Sequence, residues 1–362
     1  MKKLGYGLLL LVAVCLTAML APAGRAQHPG KKVQVYGVAF YNLENLFDTI
    51  NNNGKYDKEF SPQGKNQWDS RRYWKKINNL GYAISQMPTK STPMGPAIIG
   101  VSEVENITVL QDLVKDKHIA DWNLQIVHHD SPDRRGIDVG LLYNPRFFKV
   151  INVKNHYLKI DSLPYFRTRD QMCVVGILGG QRVGIIVNHW PSRRGGEAQS
   201  SWLRESAAAL THHIADSLLT VDPNIGVIVM GDLNDDPFNK SCAVVMGGKK
   251  SEKEVQPGGF YNPFWKKLDD GIGSYTYRGG WNLFDQIMVN YNLLPQGKSR
   301  LKFSNALVLN KDFLKQQEGQ YRGYPFRTFS SGVWTGGYSD HFPTEIFLTP
   351  VSYTHLTLPT IL

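Results

Sequence analysis

The run Ile225-Gly226-Val227-Ile228-Val229-Met230 breaks off into Gly231-Asp232-Leu233-Asn234-Asp235. An apolar stretch this short and this rich in β-branched side chains predicts a buried strand rather than a helix. Carboxylates and an amide at the mouth of a buried strand are costly to desolvate unless a cation or another partner engages them. The pattern recurs along the chain. Val183 to Val187 runs into Asn188 and His189, and Ala97 to Val101 runs into Glu103. Phe284 and Asp285 head the stretch Ile287-Met288-Val289, and Ser339-Asp340-His341 precedes another apolar stretch. A fold that buries all these strands is expected to bring their polar ends to one rim. Asp, Glu, Asn and His gathered there are hard-metal ligands and acid–base groups.

The chain outside these strands sets further bounds. Residues 1–26 read as a secretory signal peptide: Lys2 and Lys3 precede an apolar core from Leu8 to Leu20, and Ala21-Pro22-Ala23 and Gly24-Arg25-Ala26 are small-x-small cleavage sites. The apolar core is too short for a comfortable membrane span. Cys15 follows Val14, which is too large for the position before a lipidated cysteine, so lipoprotein anchoring is not expected. The mature chain is therefore expected to be secreted or periplasmic, monomeric, and without stable membrane insertion. Its formal charge is +7, because the leader holds Lys2, Lys3 and Arg25 and no acid. A basic exported protein suits a polyanionic substrate. Cys173 and Cys242 allow one bridge but no disulfide framework, so stability must come from a hydrophobic core. At the other end, Val351 to Thr360 resembles a translated transposon-sequencing adapter. Residues 351–362 are accordingly set aside as an artefact, leaving 27–350 as the folded domain.

Within that domain strands and helices alternate. Strands are expected at Val33–Tyr41, Ala97–Val101, Leu124–His128, Val139–Tyr143, Cys173–Leu178, Val183–His189 and Val227–Met230. Helices are expected near Asp69–Gln86, Ile107–Lys115 and Glu197–Leu219. Trp74, Ile77, Ile84 and Met87 mark the apolar face of the first helix, with Arg71, Arg72, Lys75 and Lys76 on its solvated side. Trp202, Leu210, Ile214 and Leu218 mark the apolar face of the third. This is one mixed α/β domain, with sheets inside and helices outside.

Phosphodiester hydrolysis needs a divalent cation, a base to activate water, help for the leaving oxygen, and donors for transition-state charge. Candidates exist for each. Asn42, Glu44, Glu103 and Asp340 supply hard oxygens suited to Mg²⁺ or Mn²⁺. His341 is a candidate general base, with Asp285 to orient it. Asp232 and Asn234 are alternate residues beyond one strand and share a face. His189 is placed to bind phosphate or aid the leaving group.

The order and wording of these segments resemble the endonuclease/exonuclease/phosphatase superfamily, which includes pancreatic-type deoxyribonucleases. The matching segments are Phe40-Tyr41-Asn42-Leu43-Glu44-Asn45, Ser102-Glu103-Val104-Glu105-Asn106, Gly136 to Tyr143, Asn188-His189-Trp190-Pro191-Ser192-Arg193, Gly231-Asp232-Leu233-Asn234, Phe284-Asp285-Gln286-Ile287 and Ser339-Asp340-His341-Phe342-Pro343. The resemblance implies a four-layered α/β sandwich, two packed mixed β-sheets flanked by helices, with a metal-dependent site at one edge. By position it implies that Asn42 and Glu103 lie near metal and phosphate, and that Asp340 is a second metal-proximal acid. It implies that Asp232 and Asn234 position water and phosphate, and that Asp285 and His341 form the Asp–His couple. His189 matches the histidine of the deoxyribonuclease branch, and Glu44 stands where members vary.

The substrate expected on these grounds is nucleic acid or another phosphodiester, cleaved with low sequence specificity. Arg134, Arg135, Arg167, Arg169, Arg193 and Arg194 lie on loops beside the motifs, and arginine forks match phosphate oxygens. Arg135, Arg167, Arg193 and Asn188 are taken as the substrate-binding set, with Tyr165 and Trp190 as base-stacking candidates. The alternative on the same fold is a phosphatase or a sphingomyelinase-type phosphodiesterase, which would expose an aromatic hairpin such as Gly258 to Trp265. An alternative of another class is a non-catalytic surface-binding module. Asp48 to Glu59 is a near miss to a calcium loop, which allows a structural Ca²⁺.

Overall fold

Residues 34–50 and 57–351 are described in the computed structural model. The expected signal peptide, residues 352–362 and the centre of the Asp48–Glu59 loop lie outside them.

The first strand, β1 (Tyr36–Leu46), pairs in parallel with the next, β2 (Ile98–Val104), and the connection between them carries helix α1 (Ser70–Ser85). A parallel pair requires such a crossover. Asp69 caps α1 by accepting from the Arg72 amide, and Asn106 caps α2 (Ile107–Val114) by accepting from the Thr108 and Val109 amides. Then come β3 (Gln125–His128), β4 (Asp138–Tyr143), β5 (Phe148–His156), β6 (Gln171–Leu178) and β7 (Gln181–His189). A second crossover follows, through α3 (Glu197–Val221) to β8 (Gly226–Asp232), and β7 and β8 are parallel. Two short strands, β9 (Gly248–Lys249) and β10 (Phe260–Tyr261), lead to α4 (Pro263–Asp269). The hairpin β11 (Tyr275–Tyr277) and β12 (Gly280–Asn282) precedes β13 (Asp285–Asn290) and β14 (Leu301–Val308). The ribbon β15 (Phe329–Ser330) and β16 (Val333–Trp334) precedes β17 (Thr344–Pro350).

Among the described residues, one sheet runs β14-β17-β1-β2-β4-β3 and the other β5-β6-β7-β8-β13-β10-β9, both mixed. Alternation along the strands builds the layers. Ile228 and Met230 of β8 meet Phe40, Ile98, Leu141 and Ile346 of the first sheet. Val227 and Val229 turn outward onto Ala207, Ala208 and Ile214 of α3. On the far side, Ile99 and Val101 pack on Ile77, Leu80 and Ile84 of α1. The result is helices, sheet, sheet, helices: the four-layered sandwich.

Three expectations about faces are corrected. Trp74 is 53% exposed, whereas Tyr73, Ile77, Leu80 and Ile84 face the core. Lys76 is wholly buried, because its ammonium donates to the Tyr338 carbonyl at 2.7 Å and lies 3.7 Å from Glu44. Trp202 is 41% exposed, and Arg204, Ala207, Ala208 and Thr211 take the buried face of α3 instead. The aromatic run from Phe260 to Trp265 is no exposed hairpin. Phe260 sits in β10 and Phe264 in α4, both fully buried.

Candidate active site

The two sheets deliver their polar ends to one edge by strand direction. β1 and β2 are parallel and end there, as do β7 and β8. β13 runs antiparallel to β8 and begins there, so Asp285 sits opposite Asp232, which sits opposite His189. β17 runs antiparallel to β1, which brings the preceding Ser339 to His341 to the same edge. Bulges interrupt β1 between Asn42 and Leu46 and β2 between Ser102 and Val104, and they re-aim the side chains after them. Glu44, Asn45, Glu103 and Asn234 hold left-handed φ values of 48°, 50°, 60° and 52°. Non-glycine residues hold that conformation only where their surroundings enforce it, often at functional sites.

The side chains meet closely. His341 Nδ1 lies 2.6 Å from Asp285 Oδ2, which also accepts from the Ser274 hydroxyl at 2.5 Å. The Tyr275 ring stacks on the imidazole at 4.7 Å. His341 Nε2 therefore points away from Asp285, 3.8 Å from Asp232 Oδ2 and 3.9 Å from Asp340 Oδ1. Asp232 Oδ2 also accepts from the Asn42 amide at 3.0 Å and lies 3.6 Å from His189 Nε2. Its other oxygen accepts from the Asn234 backbone at 3.0 Å. Glu103 accepts from Arg135 at 3.2 Å and from the Asn45 backbone at 2.9 Å, and stands 3.9 Å from His189. Asp340 accepts from Arg327 at 2.8 Å.

Burial and charge pull these groups apart in acidity. Burial alone would lower the His341 pKa, but Asp285, with Asp232 and Asp340 behind it, holds the ring well above its ordinary value. Burial, reinforced by Arg169, depresses His189 well below its ordinary value and keeps it neutral. Burial raises Asp232 to about 6 against the pull of His341. Burial would raise Glu103 too, but the charge and hydrogen bond of Arg135 outweigh it and hold the carboxyl below the usual range. One histidine is thus kept charged and its neighbour kept neutral.

The cluster opens on a cleft of about 740 Å³ lined by Glu103, Arg135, His189, Asp232, Asn234, Asp340 and His341, among others. Ligand atoms of Asp232, Asp285 and His341 come within 4.8 Å of one another. Asp285 and His341 are already hydrogen-bonded, so Glu103, Asp340 and Asp232 are the hard-oxygen donors left facing the cleft. Several carboxylates in so small a space fit a divalent cation. A second group, His128, Asp130 and Asp138, lies outside the cleft. There Asp138 accepts from Ser131 at 2.8 Å and lies 3.1 Å from His128, which ties the β3–β4 connection together.

The expected residues separate accordingly. His341, Asp285, His189, Asp232, Asn234, Glu103, Asp340 and Arg135 come together. Asn42 is buried beneath them and links β1 to β8 through Asp232, so its amide is committed. The other expected residues are placed differently. Glu44 accepts from the Thr328 backbone at 2.6 Å, faces Lys76 and Arg327, and does not line the cleft. Asn188 donates to the Ile186 and Met230 carbonyls inside the sheet and touches no substrate space. Arg193 donates to the Asn234 carbonyl at 2.9 Å and pairs with Glu197 and Asp235, so it braces the Asn234 loop rather than offering an open fork. Arg167 lies off the cleft, on the wall of the adjoining cavity, where it donates to Tyr157 and the Pro164 carbonyl. Trp190 is core, and Arg169 braces the His189 and Trp190 carbonyls. Ser274, Tyr275 and Arg327 were not anticipated. They sit in loops or, for Tyr275, at the start of the short strand β11, without motif context, and only the fold brings them to His341 and Asp340.

The fold agrees with that of known structures. A crystal structure of D. rerio TDP2, humanized by 14 mutations, superposes with a TM-score of 0.54 at 13% identity, covering 87% of this chain and 99% of that one. D. rerio TDP2 complexed with single-strand DNA product gives 0.52 at 14% identity, covering 87% and 98%. The Bacteroides thetaiotaomicron mannosyl-6-phosphatase gives 0.52 at 18% identity, covering 86% and 99%. At these identities the likeness is one of fold. A comparison with curated protein sequences finds no match. The Endonuclease/Exonuclease/phosphatase family matches residues 37–350, from β1 through the last strand. The chain belongs to that family.

Proposed function

We propose that this protein is an exported, low-specificity nuclease that hydrolyses phosphodiester bonds in an extended nucleic-acid strand with Mg²⁺ or Mn²⁺. The observation that carries the reading is the shape around the cluster. The 740 Å³ cleft adjoins a 750 Å³ cavity across Arg135, Ser192 and Arg194, and a 900 Å³ cavity across Tyr275, Tyr277, Arg278 and Asp340. A track open on both sides of the reacting centre suits a chain of phosphates better than a single small ester. Arginines along it would follow the backbone without reading bases. The N-terminal leader supports export.

Glu103 and Asp340 would hold the cation. When bound, it polarises the phosphoryl group and offsets its charge. Asp285 fixes the His341 ring and keeps its proton, so Nε2 donates toward the phosphate. The acceptor facing the same spot is the Asp232 carboxylate, 3.8 Å from His341 Nε2, and it takes the proton of the attacking water. This replaces the expectation that His341 is the base. Neutral His189 and Asn234 add uncharged donors for the developing oxyanion.

Plasmid nicking in the presence of Mg²⁺, before and after exhaustive chelation, tests the metal role, and activity that survives chelation rejects it. A parallel panel of single-stranded DNA, RNA, a sugar 6-phosphate and sphingomyelin tests the substrate. Turnover confined to the sugar phosphate rejects the nuclease reading in favour of a phosphatase on the same fold.

A further inference from the structure

The β11–β12 hairpin turns at Arg278 and Gly279, whose φ values of 50° and 85° give a type I′ turn. Glycine, asparagine or aspartate suits its first central position, and an arginine there is strained. The tip lines both the catalytic cleft and the 900 Å³ cavity next to it. Tyr277 is 57% exposed, and the Arg278 guanidinium lies over its ring at 5.2 Å. No carboxylate partner for Arg278 appears among the described residues, unlike Arg327, which pairs with Asp340. Behind the tip an aromatic series climbs from the core. Phe342, fully buried beside His341, stacks on Trp281 at 5.8 Å. Trp281 meets Tyr324 edge-on at 5.8 Å, and Tyr324 meets Tyr321 at 6.1 Å on the cavity wall. Gln316, Gln320 and Thr335 add amide and hydroxyl groups to the lining.

Resting on the nuclease reading, we propose that this cavity seats the nucleoside next to the scissile phosphate on the Asp340 side of the site. The base stacks on Tyr277, and Arg278 takes the flanking phosphate. Tyr277 is carried on a hairpin with a two-residue turn, in which Trp281 is packed into the series, and the Tyr277 π-face accepts every base alike. The ligand class is therefore a single-stranded oligonucleotide with unpaired bases, recognised without sequence.

The test compares kcat/KM for a fluorogenic single-stranded DNA 12-mer with that for bis(4-nitrophenyl) phosphate, which has no base or flanking phosphate. The variants are Tyr277→Ala, Tyr277→Phe and Arg278→Gly, the last keeping the I′ turn. Stacking of this kind is worth about tenfold or more per base. Tyr277→Ala should lower the oligonucleotide-to-diester ratio by about tenfold, mainly through KM, and Tyr277→Phe should restore it. Arg278→Gly should reduce the slope of log kcat/KM against log salt by about one. A ratio and slope unchanged in these variants overturn the proposal while the parent's DNA cleavage stands. If the parent itself turns over the diester but no oligonucleotide, the nuclease reading falls and this subsite falls with it.

Discussion

His341 is held by more than its carboxylate. Asp285 binds Nδ1, Ser274 donates to that same Asp285 oxygen, Tyr275 stacks on the ring, and the His341 amide donates to Ser339 Oγ at 3.1 Å. A ring so constrained presents Nε2 in one direction, which is what transition-state stabilisation needs. Removing Asp285 frees the ring and its proton together, while removing Ser274 loosens only the carboxylate. Asp285→Asn should lower kcat by about 10²–10⁴-fold, the range for a displaced acid–base group. Ser274→Ala should cost about tenfold, with Ser274→Thr restoring most of it. Steady-state kinetics with circular dichroism as a folding control checks both. A Ser274→Ala enzyme as impaired as Asp285→Asn would mean the hydroxyl does more than orient.

At the scale of elements, β8 and β17 carry the sharpest demands. Gly231 pairs with Asn188 of β7, and a Cβ there would stand 2.2 Å from the Asn188 carbonyl oxygen. Gly231→Ala must push the strands apart just below Asp232, so a loss on the order of 3 kcal/mol in chemical denaturation is expected, together with lost activity. On β17, Glu345 is buried with neither carboxylate oxygen partnered among the described residues, and burial raises its pKa from 4.5 to about 8. The folded protein therefore binds this proton more tightly than the unfolded chain does. The stabilisation is complete below pH 4.5 and is lost as pH rises through 8. Glu345→Gln should match the parent near pH 4 and exceed it by on the order of 4 kcal/mol at pH 8. Thermal melts across that range check it, and a parent equally stable at both ends contradicts it. These elements were unequally legible. Apolar strands such as β8 stood out because both faces are buried, and Asp69 and Glu197 marked helix starts through local chemistry. β5 did not stand out, because this edge strand exposes Lys149, Ile151, Asn152, Val153 and Lys154 and so lacks a buried pattern. Trp74 and Lys76 misled because hydrophobicity was asked to predict burial. An ammonium with a carbonyl and a carboxylate can be buried, and an indole can be left outside.

Over the whole molecule, the site was readable as a set and unreadable as an arrangement. Polar residues at strand ends signalled that Glu103, His189, Asp232, Asp285 and His341 would share a rim. Sequence position could not separate groups that face the cleft from those that support it. Asn188 and His189 are neighbours in β7, yet alternation sends one into the sheet and the other to the cleft. Glu44 met Lys76 and Arg327 only through the packing of α1 and a distant loop. The central claim is that residues from opposite sheets act on one phosphate. Groups that act as a unit give strongly non-additive effects. The direct measurement is kcat/KM on bis(4-nitrophenyl) phosphate for the parent, Asp232→Asn, His341→Ala and the double variant. Each single change should cost about 10²–10⁴-fold, with the double variant little worse than the poorer single. Either single variant within tenfold of the parent, or fully multiplicative losses, would contradict the account.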